Sequence, residues 1–392
     1  MKLPVYLDNH ATTKVDPRVV DTMLPYFSEN YGNAASKQHE FGWRAEAAVE
    51  KARAQVAALV GALPEEIVFV SGATESVNLA LKGVAEAYAF KGNHIVTAKT
   101  EHRAVLDTCS RLEKYGFAVT YVPVDNHGTV SPDEIRKAIE EKTVLVSVMF
   151  ANNEIGTIAP VQEIGARCRE AGVIFHTDAT QAVGKIPIDV TKMGVDLLSC
   201  SAHKMYGPKG IGALYVRKHG PRVRVMSQMD GGGHERGIRS GTLNVPAIVG
   251  FGKAAEIAME EMASDGKRLA ILRDKLVDGI TAAIESTSVN GHPILRLSHN
   301  ANITFSGVRA DELMMQMKDI AVSSGSACSS ASPEPSHVLR AIGLQDRDVL
   351  ASLRFGLGRF TTEAEIEYAI TRIVEIVQVV RKGTQQYQPA QI

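Results

Sequence analysis

Val173-Ile174-Phe175-His176-Thr177-Asp178-Ala179-Thr180-Gln181 and Leu197-Leu198-Ser199-Cys200-Ser201-Ala202-His203-Lys204 decide how this chain is read. Each is a short apolar run that ends abruptly in side chains able to do chemistry. Runs of this kind recur from Ile67 to Val216, separated by segments with apolar residues at helical spacing, such as Thr74 to Phe90 and Val161 to Ala171. That alternation is the pattern of a mainly parallel sheet covered by helices. Seven strands are expected: Ile67 to Val70, His94 to Thr97, Val119 to Val124, Val144 to Phe150, Val173 to Thr177, Leu197 to Ser201 and Gly212 to Val216. The fold class is therefore α/β, with a doubly wound, mainly parallel seven-stranded sheet in a large domain.

Beyond Gly250 the chain becomes rich in Ala, Glu and Lys through Ile284, as one long helix with room for a break. Strands are expected at Ala301 to Phe305, Ile320 to Ser323 and Ser352 to Phe355, and a closing helix at Glu363 to Arg381. Such a mixture reads as a smaller α+β domain. The expected division is residues 16–259 for the large domain and 1–15 with 260–392 for the small one. The segment before Ser36 has the option of packing on either, and the polar tail from Gly383 is expected to fray.

At 392 residues the chain is long enough for two or three domains, and 45% hydrophobic with 22% charged residues excludes a disordered or fibrous protein. Forty-three basic against forty-four acidic side chains argue against a nucleic-acid grip. No apolar stretch reaches the roughly 18 residues of a membrane span, and Asp8, Asn9 and His10 interrupt any signal peptide. Four cysteines, Cys109, Cys168, Cys200 and Cys328, none in C-x-x-C spacing, read as free thiols of a reducing compartment, by default the cytoplasm.

Two common site motifs are absent. There is no phosphate loop of the G-x-x-x-x-G-K-[ST] type, and neither His39-Glu40 nor His234-Glu235 extends to H-E-x-x-H. Ligands of an open α/β sheet bind at the carboxyl ends of its strands, so the residues there carry the argument. After Val70 comes Ser71-Gly72-Ala73-Thr74-Glu75-Ser76 and a helix start, which suits a phosphate or, more simply, a side-chain cap. Asp178 at a buried strand end needs a facing cation. A protonated pyridine nitrogen would serve, as would a structural Arg or Lys. Lys204, directly after a strand, suits a Schiff-base amine or a lysine reaching solvent from the sheet edge. On one edge of one sheet the three together form a pyridoxal phosphate site.

His102 follows another strand on that edge and could stack on a ring and move protons, or serve a structural purpose. Asn153 could donate to ring or substrate, although asparagine pairs also make turns. In the second domain, Ser323 to Pro333 is too rich in Ser, Gly and Ala to bury much apolar area, and reads as a mobile loop. Cys328 lies in its middle. A thiol on a polar loop suggests nucleophilic chemistry or sulfur transfer. Arg354, in an apolar strand, is expected to clamp a carboxylate of the substrate or of the protein.

With these residues in view the chain closely resembles cysteine desulfurases of the IscS/NifS type, fold type I pyridoxal phosphate enzymes of the aminotransferase class V family. The motifs run from Tyr6-Leu7-Asp8 and Ala11-Thr12-Thr13 through Thr100-Glu101-His102, Asn152-Asn153-Glu154, His203-Lys204, Gly231 to Gly237 and Arg239-Ser240-Gly241-Thr242 to Arg354–Phe360. The resemblance implies that Lys204 carries pyridoxal 5'-phosphate as an imine, with Asp178 on the pyridine nitrogen, Gln181 on the ring hydroxyl and His102 stacked on the ring. It implies that Ala73, Thr74, Ser201 and His203 hold the phosphate, joined by Thr242 from the partner subunit of a homodimer. Asn153 would lie beside the ring, and Asn33 and Arg354 would bind the substrate carboxylate.

The reaction implied is removal of sulfur from L-cysteine, giving L-alanine and a persulfide on Cys328. The cofactor is the electron sink and the thiolate attacks the substrate sulfur. An acceptor such as an IscU/NifU-type iron–sulfur scaffold or a tRNA-thiolation protein would take the sulfur, and Cys328 is a candidate transient iron–sulfur ligand. The long loop around Cys328 resembles the IscS/NifS subgroup rather than the short-loop SufS type. Departures are Ala34 where the family usually has proline, Ala202 for a common glycine, Ser329 for a common threonine, and an end at Ile392 where IscS-type chains continue into a segment that helps dock the scaffold protein. Rival readings are another pyridoxal phosphate lyase, such as a selenocysteine lyase, and a sulfur-trafficking partner that keeps the fold but acts by protein binding.

Overall fold

A computed structural model describes residues 2–324 and 335–386. Seven strands form one sheet: Ile67–Val70 (β1), His94–Ala98 (β2), Ala118–Val122 (β3), Thr143–Ser147 (β4), Ile174–Asp178 (β5), Leu197–Ser201 (β6) and Gly212–Val216 (β7). Their order is β1-β7-β6-β5-β4-β2-β3. All seven expected runs are there, three with the expected ends. The largest difference is at β4, where Val148 and Phe150 lie past the strand end yet still donate to the carbonyls of His176 and Asp178 on β5. β7 alone runs against its neighbours. Only residues 202–211 separate it from β6, too few for the crossover helix that a parallel partner needs.

The strand patterns follow their positions. β1, β2, β4, β6 and β7 are buried along their whole length, whereas the edge strand β3 alternates between exposed and part-buried positions until Val122. Helices Glu40–Val60, Val161–Ala171 and the first part of Val245–Ala283 bury their apolar faces on one side, and Ala73–Ala87 and Arg103–Glu113 on the other. Helix Val245–Ala283 runs for 39 residues without the break that its composition allows. Val245 to Ala258 feed the first core, while Leu269, Leu272, Leu276 and Ile280 feed a second one.

That second core lies on a four-stranded antiparallel sheet, in the order Ser323–Ser324, Ser352–Gly356, Asn300–Phe305 and Thr287–Val289. The last strand has no apolar run to announce it; it is a three-residue edge. The closing helix extends from Glu363 to Gln386. The amino-terminal segment packs on both cores. Val5–Tyr6 pairs in parallel with Ile320–Ala321 and buries Val5 and Leu7 in the second core, while Val19 belongs to the first. Between them residues 9–13 cross the carboxyl end of the large sheet, where Thr13 N–H donates to the His203 carbonyl at 3.0 Å. Among the described residues no helix is long and apolar enough to cross a membrane.

Candidate active site

The carboxyl ends of β1, β2, β5 and β6 open onto a cleft of about 490 Å³, walled on the far side by residues 10–12 and by Arg354. β1 passes through Ser71 into Gly72, which precedes helix Ala73–Ala87 and supplies no side-chain cap. Thr74 therefore is not capping this helix, and neither is Ser71, whose N–H donates to the Glu75 carboxylate at 2.7 Å. The amides of the first turn, together with the hydroxyls of Thr74 and Ser201 and the His203 ring, make a cradle for an anion in the cleft. Close packing shapes it. A Cβ at Gly212 would come within 2.8 Å of the Gly72 Cα, so β7 can start beside this turn only as glycine.

Asp178 closes β5 and is buried at the cleft floor. One of its oxygens accepts from the Thr180 N–H at 3.0 Å, and among the described residues no lysine or arginine is paired with it. A buried carboxylate left in that state is costly, and the cleft beside it has room for a cation. Behind Asp178 the sheet is polar and neutral. His176 contacts Ser147 Oγ with Nδ1 and Ser199 Oγ with Nε2, both at 2.9 Å, and Ser199 continues to Ser76.

Burial lowers the His176 pKa to about 4. The unfolded chain takes up a proton near pH 6.5 that the folded ring refuses, so His176 contributes stability above that pH and loses it as pH falls toward 4. Between pH 7 and 5 the wild-type protein should therefore lose about 2 kcal/mol more stability than His176→Gln. Urea midpoints of the two proteins at both pH values test this; parallel profiles would refute it.

Lys204 sits in a short turn after β6 and donates to the carbonyls of His10 and Ala11, the latter at 2.7 Å. His203 contacts Thr12 Oγ1 through Nδ1 at 3.1 Å, and burial, with Lys204 and Lys209 adding repulsion, lowers its pKa to about 4. The ring is thus a neutral donor or acceptor at the cradle. His102 is both things that its position allows. It lines the cleft, and its Nδ1 accepts from Ala104 N–H at 3.1 Å to cap helix Arg103–Glu113, which leaves the neutral ring's proton on Nε2. Gln181 is held from both ends by His10: its Nε2 donates to the His10 carbonyl, and its Oε1 faces His10 Nδ1, both at 3.1 Å.

Arg354 lies in the strand Ser352–Gly356 with its guanidinium in the cleft. It donates to Asp8 Oδ1 at 2.9 Å and to the Asn153 carbonyl at 3.0 Å, while its buried Nε has no partner among the described residues. The carboxylate it clamps in this structure is the protein's own. Asn152, rather than Asn153, makes the turn after β4: its Oδ1 accepts from the N–H groups of Glu154 and Ile155. Asn153 is left facing the cleft.

Ala73, Thr74, His102, Asn153, Asp178, Gln181, Ser201, His203, Lys204 and Arg354 thus converge on one cleft. Asn33 does not line it. Its side chain is exposed and accepts from Ala35 N–H at 2.9 Å, closing a local turn. Thr242 is also exposed and outside the cleft of its own chain. Cys328 lies outside the described residues, as does most of the loop expected over 323–333; Ser323–Ser324 is a strand.

Asp8, His10, Glu101 and Glu154 complete the neighbourhood, yet nothing marks them individually in the sequence. Asp8 and His10 act from a segment remote from the sheet, and Glu101 and Glu154 are carboxyls kept buried beside the more conspicuous His102 and Asn153. Desolvation pushes Glu101 well above the usual carboxylate range and Glu154 up to about 7.

The geometry has counterparts. The sequence model of the aminotransferase class-V family matches residues 5–369. A protein named cysteine desulfurase IscS from Anaeromyxobacter sp. (strain Fw109-5) is 57% identical over 388 residues, covering 99% of this chain and 96% of its own. One of the same name from Dechloromonas aromatica (strain RCB) is 58% identical over 371 residues, covering 94% and 91%. Among solved structures, a NifS-like protein superposes with a TM-score of 0.90 at 40% identity, covering 96% of this chain and all of that one. SspA, solved in complex with cysteine, gives 0.81 at 37% identity over 91% of this chain and 100% of its own. On this evidence the chain belongs to the aminotransferase class-V family and, within it, to the cysteine desulfurases of the IscS type.

Proposed function

We propose that this protein is a pyridoxal-phosphate-dependent cysteine desulfurase that takes sulfur from L-cysteine, leaves L-alanine, and carries the sulfur as a persulfide on Cys328. The observation that carries this reading is the buried carboxylate of Asp178, with no Lys or Arg paired to it among the described residues, in the same cleft as the Lys204 amine and an uncapped helix N-terminus. The donor set fits the cofactor. The Ala73 and Thr74 amides, Ser201 and His203 would hold the phosphate, with Thr242 supplied by the partner subunit of a homodimer. Asp178 would face the pyridine nitrogen, Gln181 the ring hydroxyl and His102 the ring face, and Lys204 would form the covalent link.

When bound, the cofactor supplies an electron sink for the carbanion at the substrate Cα. The chain does the rest. Arg354 would take the substrate carboxylate, joined by Asn153 and by Asn33, whose Nδ2 takes no part in the bond that its Oδ1 accepts from Ala35 N–H. Asp178 holds a negative charge where a cation must be stabilised, and His10 fixes the Gln181 amide so that its remaining N–H points away from the His10 carbonyl. His102, with Nδ1 engaged, can move a proton only at Nε2. The Cys328 thiolate then attacks the substrate sulfur, the Cβ–S bond breaks, and the carbon fragment gains protons and leaves as alanine.

Asp178→Ala should lower kcat by about 10²-fold or more, because it removes a preorganised charge from a water-poor site. Steady-state alanine release measures it, and an unchanged kcat would remove Asp178 from its role. The division into 16–259 against 1–15 with 260–392, a homodimer, a cytoplasmic location and transfer to an iron–sulfur scaffold or tRNA-thiolation acceptor complete the proposal. Its test is incubation of the holoenzyme with L-cysteine. Alanine should appear, and the peptide carrying Cys328 should gain the mass of one sulfur; alanine without that gain would sink the persulfide route.

A further inference from the structure

We propose that Glu154 and His337 are positioning residues that clamp the carboxy-terminal root of the segment bearing Cys328 onto the two strand-end turns that carry Asn153 and His102. The proposal rests on Cys328 being the sulfur acceptor. Ser336 and His337 are adjacent, and each reaches a different turn. Ser336 Oγ donates to Glu154 Oε2 at 2.5 Å, and His337 Nε2 lies 2.9 Å from the Glu101 carbonyl, so that nitrogen carries the proton. Glu154 directly follows Asn153, and Glu101 directly precedes His102.

Both turns are rigid where the clamp grips them. The Glu101 carboxyl, fully buried, accepts from Met149 N–H at 2.7 Å. The Glu154 carbonyl accepts from the amides of Asn300 and Asn302 at 3.1 and 3.3 Å. Ser336 Oγ also accepts from Leu339 N–H at 3.1 Å, which ties the root to helix His337–Ala341, and Val338, Leu339 and Ile342 pack against Ile155. The other root is fixed as well: Ser323 stands opposite Arg354 in the sheet register. Cys328 is eight residues before Ser336, so its reach toward the cleft depends on where this root is held. A buried carboxyl is a costly way to fasten a helix start that the serine already caps. It is accounted for if registration of the root against the cleft is what it supplies.

Glu154→Ala and His337→Phe break the two contacts, while Glu154→Gln and His337→Gln keep an acceptor and a donor in place. Each holoenzyme is mixed with L-cysteine. Substrate binding is read from the change in visible absorption, and persulfide on Cys328 is followed in a single turnover by mass spectrometry. The breaking variants should bind L-cysteine within about twofold of wild type and form persulfide about tenfold or more slowly, with the glutamine variants near wild type. The double variant should be no slower than the slower single one, because a root is released only once.

If Glu154→Ala does not fold, Ser336→Gly breaks the same contact from the other side and keeps a residue tolerated as a helix cap. Unchanged persulfide rates, or binding and rate falling together, would overturn the clamp while leaving the desulfurase reading in place. A wild-type protein that forms no persulfide on Cys328 would overturn both.

Discussion

Replacing Lys204 with alanine should abolish turnover of L-cysteine, by at least about 10³-fold, and should remove the visible absorption of the lysine-bound cofactor. The amine lies at the cleft with Asp178, and it donates to two backbone carbonyls, those of His10 and Ala11. Neither carbonyl can be protonated, so these two contacts hold the nitrogen in place without exchanging a proton with it. Lys209 also reaches the cleft but is exposed and sits on a glycine-flanked loop, so it lacks the fixed geometry that a covalent link needs. Because the two lost hydrogen bonds lie at the edge of the site, the variant should fold and its melting temperature should change little. Borohydride reduction followed by peptide mapping checks the assignment: wild type should be labelled at Lys204 and the variant not at all. Label at Lys209 in the wild-type protein would refute it.

The large sheet was legible because its strands announce themselves twice, by composition and by alternation with helices. β1, β6 and β7 end where the sequence places them, since each is bounded by a glycine or by a switch to polar residues. β4 was less legible. The apolar run continues through Phe150 and its amides still donate to β5, but the strand itself stops at Ser147, and the turn made by Asn152 comes only after the run is over. Thr287–Val289 was invisible for a different reason: an edge strand of three residues is defined by its pairing with Asn300–Phe305, and pairing is not a property of the segment.

The same distinction runs through the site. Lys204, Asp178 and His102 stand at strand ends, and their types are costly there without chemistry to perform. His10 and Asp8 come from a segment whose path depends on Val5–Tyr6 pairing with Ile320–Ala321, more than 300 residues away. Arg354 was recognisable as a clamp, but its partner was not. Asp8 takes one edge of the guanidinium at 2.9 Å, and only the folded chain brings the two together. Asn33 shows the reverse. Its type fits a substrate contact, but in the folded chain its Oδ1 closes a local turn with the Ala35 N–H and the residue does not line the cleft.

Replacing Cys328 with serine should leave L-cysteine binding intact and reduce sulfur transfer by at least about 10³-fold, because a hydroxyl can neither reach the thiolate's nucleophilicity nor hold a persulfide. No other thiol can take over. Cys109, Cys168 and Cys200 are buried and free. Burial pushes the Cys109 and Cys200 thiols up to about 12 and the Cys168 thiol higher still, with Glu101 adding repulsion at Cys109 and Asp178 at Cys200. At neutral pH these three are almost entirely thiol and out of reach of solvent. An unperturbed thiol at pKa about 8.5 is a few per cent thiolate, an advantage of several powers of ten over these three. A mild alkylating reagent on the native protein should therefore mark Cys328 first and reach the other three only on unfolding. In the serine variant that first label should vanish, and the change in visible absorption on adding L-cysteine should remain. If the serine variant still released sulfide and alanine at the original rate, sulfur would be leaving the substrate without a protein thiol, and the persulfide on Cys328 would have to be abandoned.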